Sequence, residues 1–549
     1  MKMQNINILL ISAFFATCFL MLSCNESSFV DDPRVFRYNE SAGITTLDPA
    51  HARSLELMWV ADALYDGLVE LKPNLEIAPA LAHSWNWDES GVIFHLRSGV
   101  MFTPQKDVPG LEHGREVKAQ DFVYSLERLR NPDVASPGGW ILESVAENGI
   151  IALNDSTLRI NMKYDFPPFL GLLTTPYASV VASESVEYHG ADFRSNPAGT
   201  GPFKLAWWVE DVALVLHKNE VYWERDSEGK SLPYLDAVHI DFVPDMGSEY
   251  LGLIQGRYDF ISGLHPAYME DLMDVDGGLS DKHSESITLE RVPFLKTDYI
   301  GLLVDGGLEL NTSTDVSGVL QNRNIRKALS ISIDREGIAR NLRRSSVLPS
   351  DKFVPPSMPG SSEYSTPVFD VEKAKQLLKE AGYPNGEGFP ELELSTTSDY
   401  VDICAAIQHG WEQLGLTIQI DVSPPSVHRE KVSTSKSEMF KKSWLADYAD
   451  AENFLGLFLK RNFAPGGPNY THFQNEYYEE LYESAMSEPS LEDRKFLYNK
   501  MDSIIYAETP VIPLFHDQVT HFVRNSIDGW VVSPVNRLEL RYVKKQLKD

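Results

Sequence analysis

At 549 residues the chain is too long for one ordinary hydrophobic core and implies two or three lobes. Its 43% hydrophobic and 23% charged residues are a normal globular balance, which excludes wholesale disorder. A formal net charge of −30 repels phosphate backbones, so nucleic acid is excluded as a partner, and solubility in an exposed compartment is the simpler meaning of the acidity.

The chain opens on a secretory leader. Lys2 precedes an uncharged apolar run, Ile6 to Leu22, whose length and flanks suit a cleaved signal at 1–23 better than a permanent span. Ser23-Cys24 at its end resembles a bacterial lipobox, in which the cysteine is lipidated and becomes the new N-terminus. Met21 and Leu22 stand where that pattern prefers leucine and a small residue, and plain secretion is the alternative. Residues 24–30 then form a linker to the anchor, and no later stretch is apolar enough to span a bilayer.

In the N-terminal third, Trp85, Trp87, the extended run Val92–Leu96 and the helical spacing Phe122, Leu126, Leu129 predict a mixed α+β unit. Tyr299–Val304 reads as a short apolar strand. Asn324–Arg344 reads as one helix, with Ile325, Ala328 and Leu329 on one side and arginines at its C-terminal end. Asp370 can N-cap a helix carrying Ala374, Leu377, Leu378 and Ala381, closed by Gly382 with Pro384 beyond. Leu392–Thr396 is strand-like. Ile403, Ile407, Trp411 and Leu414 follow at helical spacing and end at Gly415; Leu416, Ile418, Ile420 and Val422 then alternate as in a half-buried strand. Helix, strand, helix, strand with short connections implies an α/β lobe. Turn-rich segments at 131–139, 196–202, 350–366 and 462–469 are the natural connections.

Reaction chemistry is not legible. Cys18 lies in the leader and Cys24 at the lipidation site, so Cys404 has no disulfide partner and reads as a buried structural thiol. Gly229-Lys230 lacks the rest of a phosphate loop, and Gly199-Thr200-Gly201 lacks the third glycine of a dinucleotide fingerprint. Ser433-Thr434-Ser435-Lys436 fits S-x-x-K by spelling alone. The 14 histidines show no metal spacing. The pattern is that of a binder, with no enzymatic activity and no cofactor expected.

Many segments, in order, resemble the bacterial extracellular solute-binding proteins that include the oligopeptide- and dipeptide-binding proteins of ABC importers. They are Leu47-Asp48-Pro49-Ala50, Ala63 to Val69, Pro79-Ala80-Leu81-Ala82 with Ser84-Trp85, Phe94 to Phe102 and Ala119 to Ser125. Gly199-Thr200-Gly201-Pro202-Phe203, Asn219 with Tyr222-Trp223, and Arg326-Lys327-Ala328-Leu329 with Ile333-Asp334-Arg335 continue the series. The resemblance implies an α/β, two-lobed periplasmic-binding-protein fold with an additional small α+β domain. Lobe I would take 31–75 with 196–297 and 518–549, the additional domain 76–195, and lobe II 298–517. The chain would act as a monomer, lipid-anchored in the cell envelope, in the periplasm or on the outer face of the cytoplasmic membrane, and hand its ligand to a permease there.

For the site, Ser443-Trp444-Leu445-Ala446-Asp447-Tyr448 resembles the family's W-x-x-D-Y segment, whose aspartate holds a peptide's amino terminus. By that resemblance Asp447 receives the ammonium, the backbone of Ser443 to Leu445 pairs with the peptide, and Trp444 walls a pocket. The plainer alternative is a capping aspartate beside a core tryptophan. The family's D-P-x-x-F continuation is here Asp450-Ala451-Glu452-Asn453-Phe454, without the proline. Arg53 and His516 are candidates for the ligand's carboxylate, with surface solvation and a structural hydrogen bond as their respective alternatives. An oligosaccharide, chelated metal, haem or other small solute on the same fold, or a sensory or chaperone-like role, stays open beside peptide transport.

Overall fold

The computed structural model describes residues 34–263, 265–304 and 317–546; the leader, Cys24 and the linker lie outside them. The chain enters on β1 (Val35–Asn39). A hairpin of β2 (Val69–Leu71) and β3 (Ile77–Pro79) leads into four antiparallel strands, β4 (Ala82–Asp88), β5 (Gly91–Leu96), β6 (Val145–Asn154) and β7 (Thr157–Met162), in the order β4-β5-β7-β6. The helix Ala119–Arg130 packs on this sheet through buried Phe122, Leu126 and Leu129, which gives the α+β unit expected in the N-terminal third. Asp48 of the early turn accepts from Ala50 N at 3.0 Å and pairs with Arg128 of that helix, tying the first lobe to this small domain.

Next come β8 (Phe203–Val209), β9 (Ala213–Lys218), β10 (Ala237–Asp241) and β11 (Phe260–Ser262), which join β1 in the order β11-β1-β10-β9-β8 over a core that includes Phe36, Trp59 and Phe260. The Gly-Thr-Gly turn before β8 is steric in origin. A Cβ on Gly199 would stand 1.9 Å from Leu64 O, and one on Gly201 2.5 Å from Leu64 C.

The second lobe contains β13 (Val347–Pro349), β14 (Leu392–Thr396), β15 (Ile418–Val422) and β16 (Met439–Leu445), and it shares β12 (Ile287–Leu302) and β17 (Val511–Arg524) with the first. The helices Val371–Glu380, N-capped by Asp370, and Val401–Glu412 supply Ala374, Leu378, Ile403, Ile407 and Trp411 to its core. Cys404 is fully buried among them.

Two expectations change. Asn324–Arg344 is not one helix but two, Arg323–Ile331 and Arg335–Arg343, because Asp334 accepts from Gly337 N at 2.8 Å and starts a new helix. The arginines of that motif are buried carbonyl clamps. Arg326 donates to Leu320 O and Glu508 O, and Arg335 donates to Pro513 O on β17 and to Ser330 O. The strand expected at Tyr299–Val304 is the end of a much longer one, Ile287–Leu302, and Leu303 and Val304 lie beyond it.

That strand, β12, pairs antiparallel with β17 along a ladder that joins both lobes into one sheet, ordered β15-β14-β16-β12-β17-β11-β1-β10-β9-β8. Midway the register slips from Pro293↔Gln518 to Thr297↔His516, so Phe294, Leu295 and Lys296 oppose Asp517 alone. A bulge of this kind bends and twists the ladder where it passes from one lobe to the other.

Candidate ligand-binding site

One side of β16 is paired with β12 throughout, from Leu302↔Met439 to Lys296↔Leu445. The other side pairs with β14 only at Met439 and Phe440. Ala446 N donates to Leu295 O at 2.9 Å, so by the two-residue period the N–H and C=O groups of Ser443 and Leu445 point away from β12, to the open edge. The Lys441 carbonyl on that edge is already taken by His428 Nε2 at 2.9 Å. The free edge therefore runs from Ser443 to Leu445 and ends at Asp447.

Asp447 is exposed to solvent. Asn453, itself 9% exposed, organises the segment. Its Oδ1 accepts from Trp444 Nε1 (3.0 Å) and from Asp447 N (3.2 Å), and its Nδ2 donates to Asp447 Oδ2 (3.3 Å). Among the described residues no cation pairs with Asp447. The surrounding protein raises its pKa by desolvation, and the Asn453 bond offsets this only in part. Asp447 caps no helix; Trp444 is half-buried.

Tyr448 turns toward the small domain, its ring 6.3 Å from Trp140 and 6.4 Å from Phe166, its hydroxyl donating to buried Glu452. Tyr177 of the small domain is close to both Asp447 and Arg53. Burial and then Asp447 raise its hydroxyl pKa, and Arg53 opposes them. Arg53 is exposed and forms no hydrogen bond or ion pair through its guanidinium with the described residues. The fold thus brings Asp447 and Arg53 to one region. Ala451, where the resemblance has proline, donates its N–H to Pro359 O at 3.1 Å, a bond proline cannot make.

His516 differs from the expectation. It is fully buried, its Nδ1 lies 2.9 Å from Thr297 Oγ1, and burial lowers its pKa to about 3 against the pull of Asp298. It is neutral and cannot supply a positive charge to a ligand's carboxylate; the structural hydrogen bond is what it forms. Beside it lies a buried ion cluster. Lys441 pairs with Asp298, and Lys296 reaches both Asp298 (3.4 Å) and Asp517 (2.5 Å). Burial acts upward on the Asp298 carboxyl, but Lys441 and Lys296 outweigh it and hold its pKa below the usual range.

Sequence reasoning missed Asn453, Tyr177 and Lys442. The Lys442 ammonium lies 4.7 Å over the Tyr470 ring and has no ion pair with the described residues. Burial, then Arg429 and Lys441, lower its pKa. Among the described residues no group of three or more His, Cys, Asp or Glu is placed to hold a metal ion, and no helix is long and apolar enough to cross a membrane.

Comparison with known proteins agrees with this architecture. The glutathione-binding protein GsiB of Salmonella typhi is 24% identical over 501 residues, 90% of this chain and 91% of its own length. The oligopeptide-binding protein OppA of Bacillus subtilis is 27% identical over 515 residues, 87% and 86% of the two chains. The unliganded open form of the periplasmic murein tripeptide binding protein MppA superposes with a TM-score of 0.79 at 23% identity, covering 94% of this chain and 98% of that one, which shows the two-lobed fold. The family described as bacterial extracellular solute-binding proteins, family 5 (middle), matches residues 76–465, and the chain belongs to that family.

Proposed function

We propose that the protein captures peptides outside the cytoplasm and delivers them to an ABC-type permease. The observation that carries this reading is Asp447, a carboxylate without a counter-ion among the described residues, just past the end of an open strand edge. An extended peptide adds to Ser443–Leu445 as a further strand, and its α-ammonium meets Asp447, which offsets the cost of burying a charge. Trp444 and Tyr177 wall the first residue. Arg53, at the same end, is the counter-charge for an acidic group near the amine. Lys442 and Arg429 lie toward the other end and suit the terminal carboxylate. The four strand residues Lys442 to Leu445 at ~3.3 Å each offer ~13 Å of edge, the length of a peptide of about four residues. Relatives named for binding glutathione and oligopeptides support an amine-bearing ligand.

Lobe II (298–517) closes on lobe I and the small domain (76–195) by bending at the β12–β17 bulge. Lipidation of Cys24 holds the monomer at the envelope beside its permease. Calorimetry with free and N-acetylated tetrapeptides tests the reading. The free form should bind at least ~30-fold more tightly, the lower end of what an unpaired buried charge costs. Equal affinities would overturn it.

A further inference from the structure

A cavity of about 980 Å³ opens behind the Tyr448 loop, between the small domain and the second lobe. Trp87, Tyr164 and Phe166 form one wall; Met486 and Leu491 form the other, with Arg494 among its lining. It is separate from the peptide site, since none of Ser443, Trp444, Leu445, Asp447, Tyr177 and Arg53 lines it. Its volume lies at the upper end of small-molecule sites.

Two features say what would fill it. Trp87, Tyr164 and Leu491 are 44%, 50% and 45% exposed, so large apolar side chains from both walls face water without cover. The charged groups around them are unbalanced. Among the described residues, Glu76, Glu89 and Asp165 form no ion pair, and Lys163 is the one unpaired cation of the lining. Asp88 is neutralised by Arg159. Arg494, 5% exposed, spends its charge inward, on Glu488 O (3.0 Å), Pro489 O (2.9 Å) and Asp450 (3.5 Å), while its buried Nε has no hydrogen-bond partner.

We infer that this cavity is a second ligand site, selective for an amphipathic organic cation. The apolar body lies between Trp87 and Leu491, and the ammonium sits among Glu76, Glu89 and Asp165. Because the two walls belong to the small domain and the second lobe, such a ligand ties them together and shifts the closing equilibrium that the proposed peptide capture uses.

The test titrates the intact protein with 4-phenylbutylammonium, 4-phenylbutanol and 4-phenylbutyrate, equal in body and different in charge. An Asp447→Ala background removes amine binding at the peptide site, so failure of either reading shows separately. The expected order is ammonium, alcohol, carboxylate, with roughly tenfold between the first and the last. Glu89→Gln with Asp165→Asn should erase most of that preference. Ser487→Trp, which puts an indole into the cavity, should weaken binding, and a soaked crystal should place the aryl ring between Trp87 and Leu491. Equal affinity for ammonium and carboxylate, undiminished binding to Ser487→Trp, an aryl ring located elsewhere, or no binding of any of the three would overturn the inference.

Discussion

Strand β16 ends in two regions that treat charge in opposite ways. At Lys441 the ammonium is buried and meets Asp298, and Lys296 and Asp517 complete the cluster at the bulge between the lobes. Six residues on, Asp447 is exposed to solvent, and among the described residues only the amide of Asn453 bonds its carboxylate. Asp298 is the more deeply buried of the two, which by itself would raise its pKa more, yet its pKa is held down and that of Asp447 is pushed up. The partner outweighs the burial. A charge that the chain itself satisfies belongs to the fold, and one it leaves unsatisfied beside an open strand edge is available to a ligand.

Substitutions can break this contrast. The largest effect is expected at the satisfied end. Asp298→Ala strands Lys441 in the interior and should cost about 3–5 kcal/mol of stability, read from denaturant midpoints. A loss under about 1 kcal/mol would show that the cluster is not a buried structural network. At the unsatisfied end, Asp447→Ala should leave stability within about 0.5 kcal/mol of wild type. It should weaken peptide binding by about 2–5 kcal/mol, from roughly 30-fold to several thousand-fold. Wild-type affinity in that variant would remove Asp447 from the site. Asn453→Ala has a smaller effect than either, because it frees Trp444 and Asp447 without removing the charge. A loss of about 1–2 kcal/mol in binding is expected, and calorimetry decides it.

The pH dependence sharpens the contrast through its sign. Asp298 has a folded pKa below its unfolded value, near ~3.9, so its stabilisation is complete above that value and is lost as pH falls through the lower folded one. Asp447 has a raised folded pKa. Its small, solvent-screened cost to stability is absent below the unfolded value and appears as pH rises through the folded one. Asp447→Asn should therefore be slightly more stable than wild type at neutral pH and indistinguishable from it below ~4. Peptide affinity should fall as pH drops through the raised value, and thermal and calorimetric pH series check both trends. The smaller of the two stability losses is expected for Ala451→Pro, which removes the N–H bond to Pro359 O and should cost about 1 kcal/mol.

Local physics made much of the fold readable. The helices Val371–Glu380 and Val401–Glu412 and the strand Leu392–Thr396 follow from caps, apolar spacing and alternation within a few neighbouring residues. The error at Asn324–Arg344 has a local cause as well, since Asp334 is both a tolerable helix residue and a good N-cap, and tertiary contacts of Arg326 and Arg335 favour the break. The W-x-x-D-Y segment was legible as a motif, but not the state of its carboxylate. By itself the sequence determined the acidic balance, the mixed α/β elements and the family, because composition, periodicity and motif order are local or additive. Only the tertiary structure decided which charges remain unpaired. It buried His516 and made it neutral, gave Asp298 two lysines, and set Asn453, Tyr177 and Arg53 around Asp447. Desolvation and pairing depend on atoms brought close from distant parts of the chain, and no spacing along the sequence encodes them.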